Sequence, residues 1–428
     1  MTTSRYISSL LAVLLASSMS LASADSSLRT LYRFSGGDGG PAPWVDLLSA
    51  NGNIYGATYW GGSNNLGTLF QFSPATGSLS TIVNFNWSNG ALPFNQLIVG
   101  QDAMLYGTTS QGGTNGIGTV FRLDPSNNQF TSLVSFNAST GSYPSVAPSI
   151  VGSDGTIYAT AAFGGVGGRG TVFKYSPASN SLTALASFSG PNGSLVSGLT
   201  LGADGYFYGT TEGGGIGYNG DERSGYGTVF KLSKNGDFTT LAFFNGSNGS
   251  NPTPGLIVEP DGTIYGTAAS GLDGGRLFRI SPDGTLSTLA TFTGANGTQP
   301  QGGLISDSAG HLFGVTWYGG ANNQGTVFRY SIGTGDLTTL FSFDGVNGGS
   351  PTSRMILTDD GRLIGSTAYG GNGYTGGLTG NGTLFEITGI APVPEPGSAV
   401  LWLVGAAALA WKRRSMVRAA ADVRVDHA

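Results

Sequence analysis

The chain has 428 residues, of which 74 are glycine and only 10% are charged. Its formal net charge is −5 and no basic cluster precedes Lys412, so the composition excludes a nucleic-acid-binding protein. It has no cysteine, which excludes a disulfide framework and a thiolate metal site. The apolar residues fall in short β-branched and aromatic runs between Gly, Asn, Ser and Asp, and this pattern is typical of an all-β protein.

The N-terminal residues 1–24 have the features of a secretory signal peptide. Arg5 supplies the positive start, and residues 10–16 form a short apolar core. Small residues precede the predicted cleavage site between Ala24 and Asp25. The sequence therefore predicts an exported protein, and the alternative for this segment is a buried strand or a permanent anchor helix.

Seven copies of one short phrase follow. The clearest copy is Tyr106-Gly-Thr-Thr109 followed, after a glycine-rich gap, by Gly118-Thr-Val-Phe121. The copies recur at about 50-residue intervals, which indicates a repeat architecture. The aromatic or aliphatic residue and the later glycine of each copy are Tyr55 and Gly67, Tyr106 and Gly118, Tyr158 and Gly170, Tyr208 and Gly227, Tyr265 and Gly275, Phe313 and Gly325, and Ile364 and Gly382.

Each repeat divides into four short β-strands. The first carries Leu or Ile, and a turn such as Asp261-Gly262 leads into the second. The Gly-Thr-Val-Phe segment is the third strand, and the fourth runs to a phenylalanine. Four antiparallel strands that recur radially predict a seven-bladed β-propeller over residues 25–390. The fourth-strand phenylalanines are Phe85, Phe136, Phe188, Phe244, Phe292 and Phe343.

The last repeat lacks a fourth strand, and the missing strand lies at the front of the chain. Residues 28–34 match residues 286–292, which form the fourth strand of the fifth repeat. We therefore expect residues 28–34 to pair with residues 383–388 and to close the last blade, which would remove two free sheet edges. A linear solenoid is the weaker alternative, because it would leave the first strand without a partner.

A glycine follows the second-strand aromatic in every repeat except the third, where Ala159 takes its place. The pattern indicates a site where a neighbouring blade approaches too closely for a larger side chain. A β-bulge is the alternative explanation.

The repeat phrase resembles the GloVer tandem repeat, a glycine-rich motif of exported bacterial proteins that often carry C-terminal anchors. The resemblance spans roughly residues 28–388 and is carried by the Tyr-Gly-Thr and Gly-Thr-Val-Phe elements. It implies architecture and location, since the family brings no settled biochemical activity. A kelch-like propeller, with a similar period and double glycines, is the alternative family.

The C-terminal residues have three parts. Pro394-Glu395-Pro396 is followed by the apolar residues 399–411 and then by Lys412-Arg413-Arg414. This order resembles the PEP-CTERM sorting signal, which implies an exosortase-type sorting enzyme as a partner. Residues 391–414 are thus predicted to hold this signal with a short transmembrane helix, and the basic cluster favours a cytoplasmic tail at residues 415–428.

The resemblance implies anchoring in the inner membrane before sorting, and then transfer to the cell surface or the extracellular matrix. The apolar stretch would span about 20 Å as a helix, less than the hydrocarbon core of about 30 Å, unless snorkelling basic residues extend it. An ordinary C-terminal anchor that is never processed is the alternative.

The inventory of catalytic residues is small, and the sequence predicts no catalytic residue, metal site or cofactor. Its two histidines are His311, predicted to lie in a solvated turn, and His427, in the C-terminal tail. Asp221 and Glu222, joined by Glu212, are the best local acids for a propeller glycosidase or lyase acting on extracellular polysaccharide, which is the alternative function.

A binding surface is the main functional hypothesis. The loops between second and third strands lie on the same side as those between blades, and aromatic residues gather there. Aromatic rings beside Asn and Ser suit polysaccharide or another envelope or matrix component. Packing beneath the Gly-Gly turns is an equally weighted role for these rings, and a purely structural matrix protein is a third possibility. The candidate ligand-binding residues are Tyr59, Trp60, Phe163, Trp317, Tyr318 and Tyr369.

Overall fold

The computed structural model describes residues 26–39, 46–94, 96–144, 150–271 and 274–390. These residues form 32 β-strands in seven antiparallel sheets, and they contain no helix that could serve as a membrane span. The predicted signal peptide with its Ala24/Asp25 cleavage site, the Pro394-Glu395-Pro396 motif, the C-terminal helix and the tail all lie outside the described residues.

The seven sheets are the blades of a β-propeller, as predicted. Blade 1 consists of β2 (Leu48–Ala50), β3 (Asn53–Thr58), β4 (Thr68–Ser73) and β5 (Ser78–Asn84). Blade 2 consists of β6 (Ala91–Pro93), β7 (Ile98–Val99), β8 (Leu105–Gln111), β9 (Thr119–Asp124) and β10 (Gln129–Ser135). Blade 3 consists of β11 (Ser142–Pro144), β12 (Ile150–Val151), β13 (Ile157–Phe163), β14 (Thr171–Ser176) and β15 (Ser181–Ser187).

Blade 4 consists of β16 (Ser194–Leu201), β17 (Phe207–Gly213), β18 (Thr228–Leu232) and β19 (Phe238–Phe243). Blade 5 consists of β20 (Ser250–Pro252), β21 (Ile257–Val258), β22 (Ile264–Ser270), β23 (Arg276–Ile280) and β24 (Leu286–Thr291). Blade 6 consists of β25 (Thr298–Ser306), β26 (His311–Tyr318), β27 (Thr326–Ser331) and β28 (Leu337–Ser342). Blade 7 consists of β29 (Gly349–Pro351), β30 (Ile356–Leu357), β31 (Leu363–Tyr369), β32 (Thr383–Thr388) and β1 (Ser27–Arg33).

The first strand of a blade lies innermost, where it contacts the first strands of neighbouring blades. It differs from the prediction in being broken into two short pieces in blades 2, 3, 5 and 7. In each of these blades the outer piece ends at a proline, for example Pro93 and Pro351. Pro300 holds the same position in blade 6, where the first strand continues through it as β25, so the proline alone does not break the strand.

The repeated threonines and glycines form a hydrogen-bonded frame within each blade. The hydroxyl of Thr109 at the end of the second strand lies 2.9 Å from that of Thr119 at the start of the third. The same pair recurs in blades 1, 4, 6 and 7. The Phe136 amide then donates to the carbonyl of Gly118, which fixes the end of the fourth strand. Both threonines are buried. The residues of the repeat phrase therefore have a structural role within each blade.

Every fourth strand contains a β-bulge at one recurring aliphatic residue. In blade 1, Leu69 pairs with Val83 and Phe70 with Thr81, so that Ile82 is the extra residue. Ile82 packs against the hydrophobic cluster between blades 1 and 2. The bulge thus turns an additional apolar side chain towards the next blade, where the core lies. The corresponding residues are Leu133, Leu185, Leu241, Leu289, Leu340 and Leu31.

The glycine after the second-strand aromatic has a different cause from the one expected. A Cβ atom on Gly107 would lie 2.5 Å from Cζ of Phe121 and 2.8 Å from Cδ2 of Leu97. Phe121 is the residue paired with Gly107 on the adjacent strand of the same blade. The expectation of a close neighbouring blade was therefore wrong: the glycine makes room for its own blade's phenylalanine ring. The bulge lies elsewhere, on the fourth strand.

The N-terminal strand closes the seventh blade, which confirms the prediction. Strand β1 pairs antiparallel with β32, from Ser27 opposite Thr388 to Arg33 opposite Thr383. The Phe34 amide donates to the carbonyl of Gly382 at 3.1 Å, the same contact that ends the fourth strand of the other blades. Phe34 is fully buried. The two ends of the repeat region are thus held in one sheet.

One charge pattern distinguishes this closing pair from the other blades. Glu386 on β32 lies opposite Arg29 on β1 and is bonded to it at 3.2 Å. A second arginine, Arg362, bonds the same carboxylate oxygen at 3.0 Å. In the other six blades the third-strand position holds a basic residue or glutamine, and it faces serine or threonine. These pairs are Gln71 and Ser80, Arg122 and Thr131, Lys174 and Thr183, Lys231 and Thr239, Arg279 and Ser287, and Arg329 and Thr338.

Candidate functional site

The face that carries the loops between second and third strands and the loops between blades is called the loop face. Antiparallel strand order brings both kinds of loop to the same side, as predicted. Seven of the large apolar residues that are exposed in the described part of the chain lie on this face. They are Trp87, Tyr143, Val166, Ile216, Tyr226, Val346 and Leu378.

A pocket of about 210 Å³ opens among the loops of blades 1 to 4, and we call it the loop-face pocket. Half of its apolar lining residues are aromatic, and its polar wall carries two serine hydroxyls, a carboxyl and a guanidinium group. Such a combination fixes the orientation of a ligand while the apolar wall supplies contact area. The lining residues are Tyr59, Phe94, Ser110, Tyr143, Pro144, Ala162, Phe163, Leu195, Val196, Ser197, Glu212 and Arg223.

The aromatic wall is assembled from three blades. The rings of Tyr59 and Phe94 meet edge to face at 5.1 Å, and those of Tyr143 and Phe163 meet edge to face at 5.6 Å. Burial raises the pKa of the Tyr59 hydroxyl. Tyr143 is 40% exposed, and its hydroxyl accepts a hydrogen bond from Gln111 at 3.0 Å. The two rings of each pair therefore restrain each other, while part of the Tyr143 side chain remains exposed to solvent.

Glu212 supplies the carboxyl group of the pocket. It lies near the end of β17, and its exposed side chain lines the pocket. Desolvation by the surrounding groups raises the pKa of the Glu212 carboxyl, and the Arg223 cation acts in the opposite direction. Arg223 lines the same pocket. The pair gives the pocket both hydrogen-bond donors and acceptors.

The long insert of blade 4 is anchored on Arg169 of blade 3. Arg169 donates from Nε to the Tyr218 hydroxyl at 3.0 Å and from Nη2 to the Gly220 carbonyl at 2.6 Å. Its Nη1 lies 3.6 Å from a carboxylate oxygen of Glu222. The Arg223 amide donates to Oδ1 of Asp221. Asp221 thus contacts its own insert and Glu222 contacts Arg169 of blade 3, whereas Glu212 lines the pocket.

The six predicted aromatic residues are all half-buried and fall into two groups. Tyr59 and Phe163 line the loop-face pocket, and Trp60 packs edge to face against Tyr59 at 4.9 Å. The second group lies on blades 6 and 7, where the rings of Trp317 and Tyr318 are 5.9 Å apart and Tyr318 lies near Tyr369. These three residues are not part of the loop-face pocket.

Several pocket residues were missed because they lie at the beginning of the first strand. Tyr143 and Leu195 occupy one recurring position there, which has a left-handed backbone in blades 2 to 7. Left-handed conformations of non-glycine residues are uncommon and are held by their surroundings. A signal was present in the sequence, since this position varies between repeats inside a Gly-small-x-Pro frame, in which Val196 replaces the proline in blade 4. The residues at this position are Leu92, Tyr143, Leu195, Asn251, Gln299 and Ser350.

The remaining candidate groups are His311 and the side chains that could bind a metal ion. His311 is the first residue of β26, and its Nδ1 lies 2.8 Å from Oδ2 of Asp307, which also accepts the His311 amide through Oδ1. This contact ties the histidine to its own turn. In the part of the chain that the structure describes, no group of three or more His, Asp or Glu side chains is placed to hold a metal ion.

Comparisons with known proteins agree with this architecture. The Gloeobacter/Verrucomicrobia repeat matches residues 17–222 and 217–391, and the PEP-CTERM protein-sorting motif matches residues 392–415. No curated protein matches the chain.

Two similar solved structures are extracellular domains of B. thetaiotaomicron proteins named as hybrid two component systems. Both have a TM-score of 0.55, with 14% and 13% sequence identity. The alignments cover 84% and 88% of this chain but only 39% and 42% of theirs, so that this chain spans about two fifths of those structures. At this identity the likeness shows the fold alone.

Proposed function

The chain belongs to the Gloeobacter/Verrucomicrobia repeat family and carries a PEP-CTERM protein-sorting motif, and we propose that it is a surface-anchored propeller that binds polysaccharide in the loop-face pocket. The sorting motif supports an exported protein that an exosortase-type enzyme processes. A signal peptide at residues 1–24, a short membrane helix within residues 391–414 and a cytoplasmic tail at residues 415–428 complete this proposal. Inner-membrane anchoring precedes transfer to the cell surface or matrix.

The observation that carries the binding proposal is the composition of the pocket wall. The partly exposed ring of Tyr143 and the rings of Tyr59 and Phe163 offer apolar surfaces for the C–H face of a sugar. Glu212, Arg223 and Ser110 offer acceptors and donors for its hydroxyl groups. Exposed apolar residues elsewhere on the loop face, such as Trp87 and Ile216, offer further contact surface for a chain longer than one sugar unit.

A glycan array of bacterial extracellular polysaccharides, followed by calorimetry with the best oligosaccharide, tests this function. Truncation of a central contact residue costs about 1–2 kcal/mol, so Tyr143→Ala and Phe163→Ala are each expected to weaken binding about 5- to 30-fold. Tyr206→Ala is the matched control, because Tyr206 is also a 40% exposed tyrosine but lies in the turn between first and second strands on the opposite face.

The outcomes separate the alternatives. Loss of affinity in the two pocket variants with unchanged binding by the Tyr206 variant supports the proposal. Binding to no glycan on the array, or equal affinities in all three variants, would exclude the loop-face pocket as the polysaccharide site and would favour a structural role in the matrix.

A glycosidase or lyase is the second candidate, and the Glu212 carboxyl in the loop-face pocket favours it, because these enzymes need an acid beside the sugar. Hydrolysis with two carboxylates needs a second acid about 5–10 Å away, and Glu212 is the one carboxyl group among the pocket's lining residues. Binding is therefore the better-supported function. Release of new reducing ends by the wild type, abolished in Glu212→Gln, would reverse this order.

A further inference from the structure

Three repeat positions build most of the loop-face pocket, and blade 6 holds the same positions outside it. The first position comes directly after the second-strand residue that pairs with the first threonine of the third strand. In blade 6 these paired residues are Thr316 and Thr326, so Trp317 holds the first position. In blades 1 to 4 every residue at this position lines the pocket. These residues are Tyr59, Ser110, Ala162 and Glu212.

The other two positions lie on the first strand, on either side of the frame's proline or of its replacement in blade 4. The second position precedes the proline and has a left-handed backbone, and the third position follows the proline. In blade 6 the proline is Pro300, so Gln299 and Gln301 hold these positions. Blade 6 therefore carries one indole and two amide side chains at the positions that form the pocket elsewhere. The pocket residues at the second position are Tyr143 and Leu195, and those at the third are Phe94 and Ser197.

The backbone of Gln299 is fixed between two blades. Its main-chain amide donates to the carbonyl of Gly274 in blade 5 at 2.6 Å, and its φ angle is 53°. The equivalent amide of Leu195 donates to the carbonyl of Arg169 at 3.1 Å, so blade 6 repeats the backbone geometry of the pocket. The Gln299 side chain is exposed, and neither its amide group nor that of Gln301 bonds another described residue. Both amide groups can therefore bind a ligand.

Trp317 supplies an aromatic surface beside these amide groups. The pairing of Thr298 with Tyr318 in the ladder between β25 and β26 places the next residue, Gln299, opposite Trp317. Trp317 is half-buried, and its ring lies 5.9 Å from that of Tyr318. An aromatic ring suits the C–H face of a sugar, and an amide group both donates to and accepts from its hydroxyl groups. Neither the indole nor the two amides carry a charge, so this combination favours a neutral sugar.

Blade 5 connects the loop-face pocket with blade 6. Asn251 holds the left-handed position of blade 5, and its Nδ2 donates to the main-chain carbonyl of Glu212 at 3.0 Å. Sheets that pack face to face lie about 10 Å apart, so the two blade steps from Glu212 to Trp317 cover about 20 Å. A ligand that contacts both residues is therefore a chain of several sugar units.

We propose that Gln299, Gln301 and Trp317 form a second sugar subsite, the blade-6 subsite, and that one linear neutral polysaccharide chain contacts it together with the loop-face pocket. This inference rests on the proposed polysaccharide binding and adds the shape, charge and minimum length of the ligand. Blades 5 and 7 do not offer the same surface, because they hold the buried Ala269 and Ala368 at the position of Trp317.

Calorimetry on the purified full-length protein tests the proposal with cellohexaose, xylohexaose and β-1,4-mannohexaose, each measured beside its disaccharide. For the hexasaccharide that binds best, Trp317→Ala is expected to weaken binding about 5- to 30-fold, the range for a contact residue. Gln299→Ala should weaken it about 2- to 10-fold, the range for one neutral hydrogen bond. Both variants should leave disaccharide binding unchanged, whereas Tyr143→Ala should weaken both lengths. Gln129→Ala is the matched control, because Gln129 is an exposed glutamine at the start of β10 on the opposite face.

The outcomes separate this inference from the proposed function. Because Gln299 is exposed, Gln299→Ala keeps the test informative if Trp317→Ala does not fold. A loss confined to the hexasaccharide supports the blade-6 subsite. Undiminished hexasaccharide binding in Gln299→Ala, or equal losses for both lengths, overturns the subsite, while a loss in Tyr143→Ala would still support the loop-face pocket. Binding of none of the three hexasaccharides, or tighter binding of hexagalacturonate, overturns the linear neutral ligand. Binding of no glycan at all removes the proposed function as well.

Discussion

Replacing Glu386 with lysine tests how the ring is closed. In the wild type the Glu386 side chain is only 7% exposed and accepts hydrogen bonds from Arg29 at 3.2 Å and Arg362 at 3.0 Å. The Glu386→Lys substitution removes both contacts and adds a third cation between the two arginines. Because Arg29 belongs to β1 and Glu386 to β32, the change acts directly on the strand pair that joins the two ends of the propeller.

The magnitude follows from the burial of the three groups. Removing one partner of a buried ion pair costs about 3–5 kcal/mol. Arg29 is 68% and Arg362 34% exposed, so both cations can turn towards water, and we expect the low end of that range, about 3 kcal/mol. If this cost falls on the opening of β1, its amide hydrogens should exchange on the order of 100-fold faster.

Native-state hydrogen exchange of the β1 amides measures this change. Lys174→Glu is the matched control, because Lys174 holds the corresponding third-strand position in blade 3 and faces Thr183. The control should leave β1 exchange unchanged. Combining Arg29→Glu with Glu386→Lys should recover part of the loss by restoring an opposite-charge pair. If the β1 amide hydrogens of Glu386→Lys exchange at the wild-type rate, the inference that the Glu386 ion pairs hold β1 in the seventh blade is refuted.

Three further predictions concern the repeated frame and the axis. Gly107→Ala should lower the free energy of unfolding by about 1–3 kcal/mol, because its Cβ would overlap the Phe121 ring, and denaturant titration measures this. Thr109→Val should cost about 1–3 kcal/mol in the same assay, because it leaves the buried Thr119 hydroxyl without this partner. Burial raises the pKa of Asp46 from 3.8 to about 6, so the folded protein holds this proton more tightly than the unfolded chain does. Its stabilising effect is fully present below pH 3.8 and is lost as the pH rises through about 6, so acidification across this window should stabilise the wild type relative to Asp46→Asn by about 3 kcal/mol.

Each of these predictions has its own control or contrary result. Gly333→Ala has open space around the new Cβ and should leave stability nearly unchanged, so equal costs at Gly107 and Gly333 would contradict the steric explanation. Full stability of Thr109→Val would mean that the threonine pair is dispensable. A pH-independent difference between the wild type and Asp46→Asn would show that Asp46 titrates normally in the folded state.

The blades and their closure could be predicted from local patterns. Asp-Gly or similar turns and β-branched strands recur in the copies, and the first six copies end at a fourth-strand phenylalanine, so counting them was enough to assign the missing strand to residues 28–34. The role of Gly107 was predicted wrongly, because the sequence does not reveal whether a ring from the same blade or from the next one lies over a glycine.

The candidate sites were only partly predictable. Tyr59 and Phe163 were chosen for their repeat position, but nothing in the sequence joined them to Glu212 or separated them from Trp317. The pocket residue Tyr143 was overlooked, since its importance depends on a left-handed backbone at the beginning of a first strand.

The amino-acid sequence by itself determined the strands, their order and the number of blades, because these depend on turn residues and on apolar spacing within about 50 residues. Only the tertiary structure decided which side chains meet across blades. Asp46 and Arg354 are far apart in the chain, yet they touch on the axis because a closed ring places its first and seventh blades side by side. Contacts of that kind depend on the curvature of the whole ring, which no single repeat encodes.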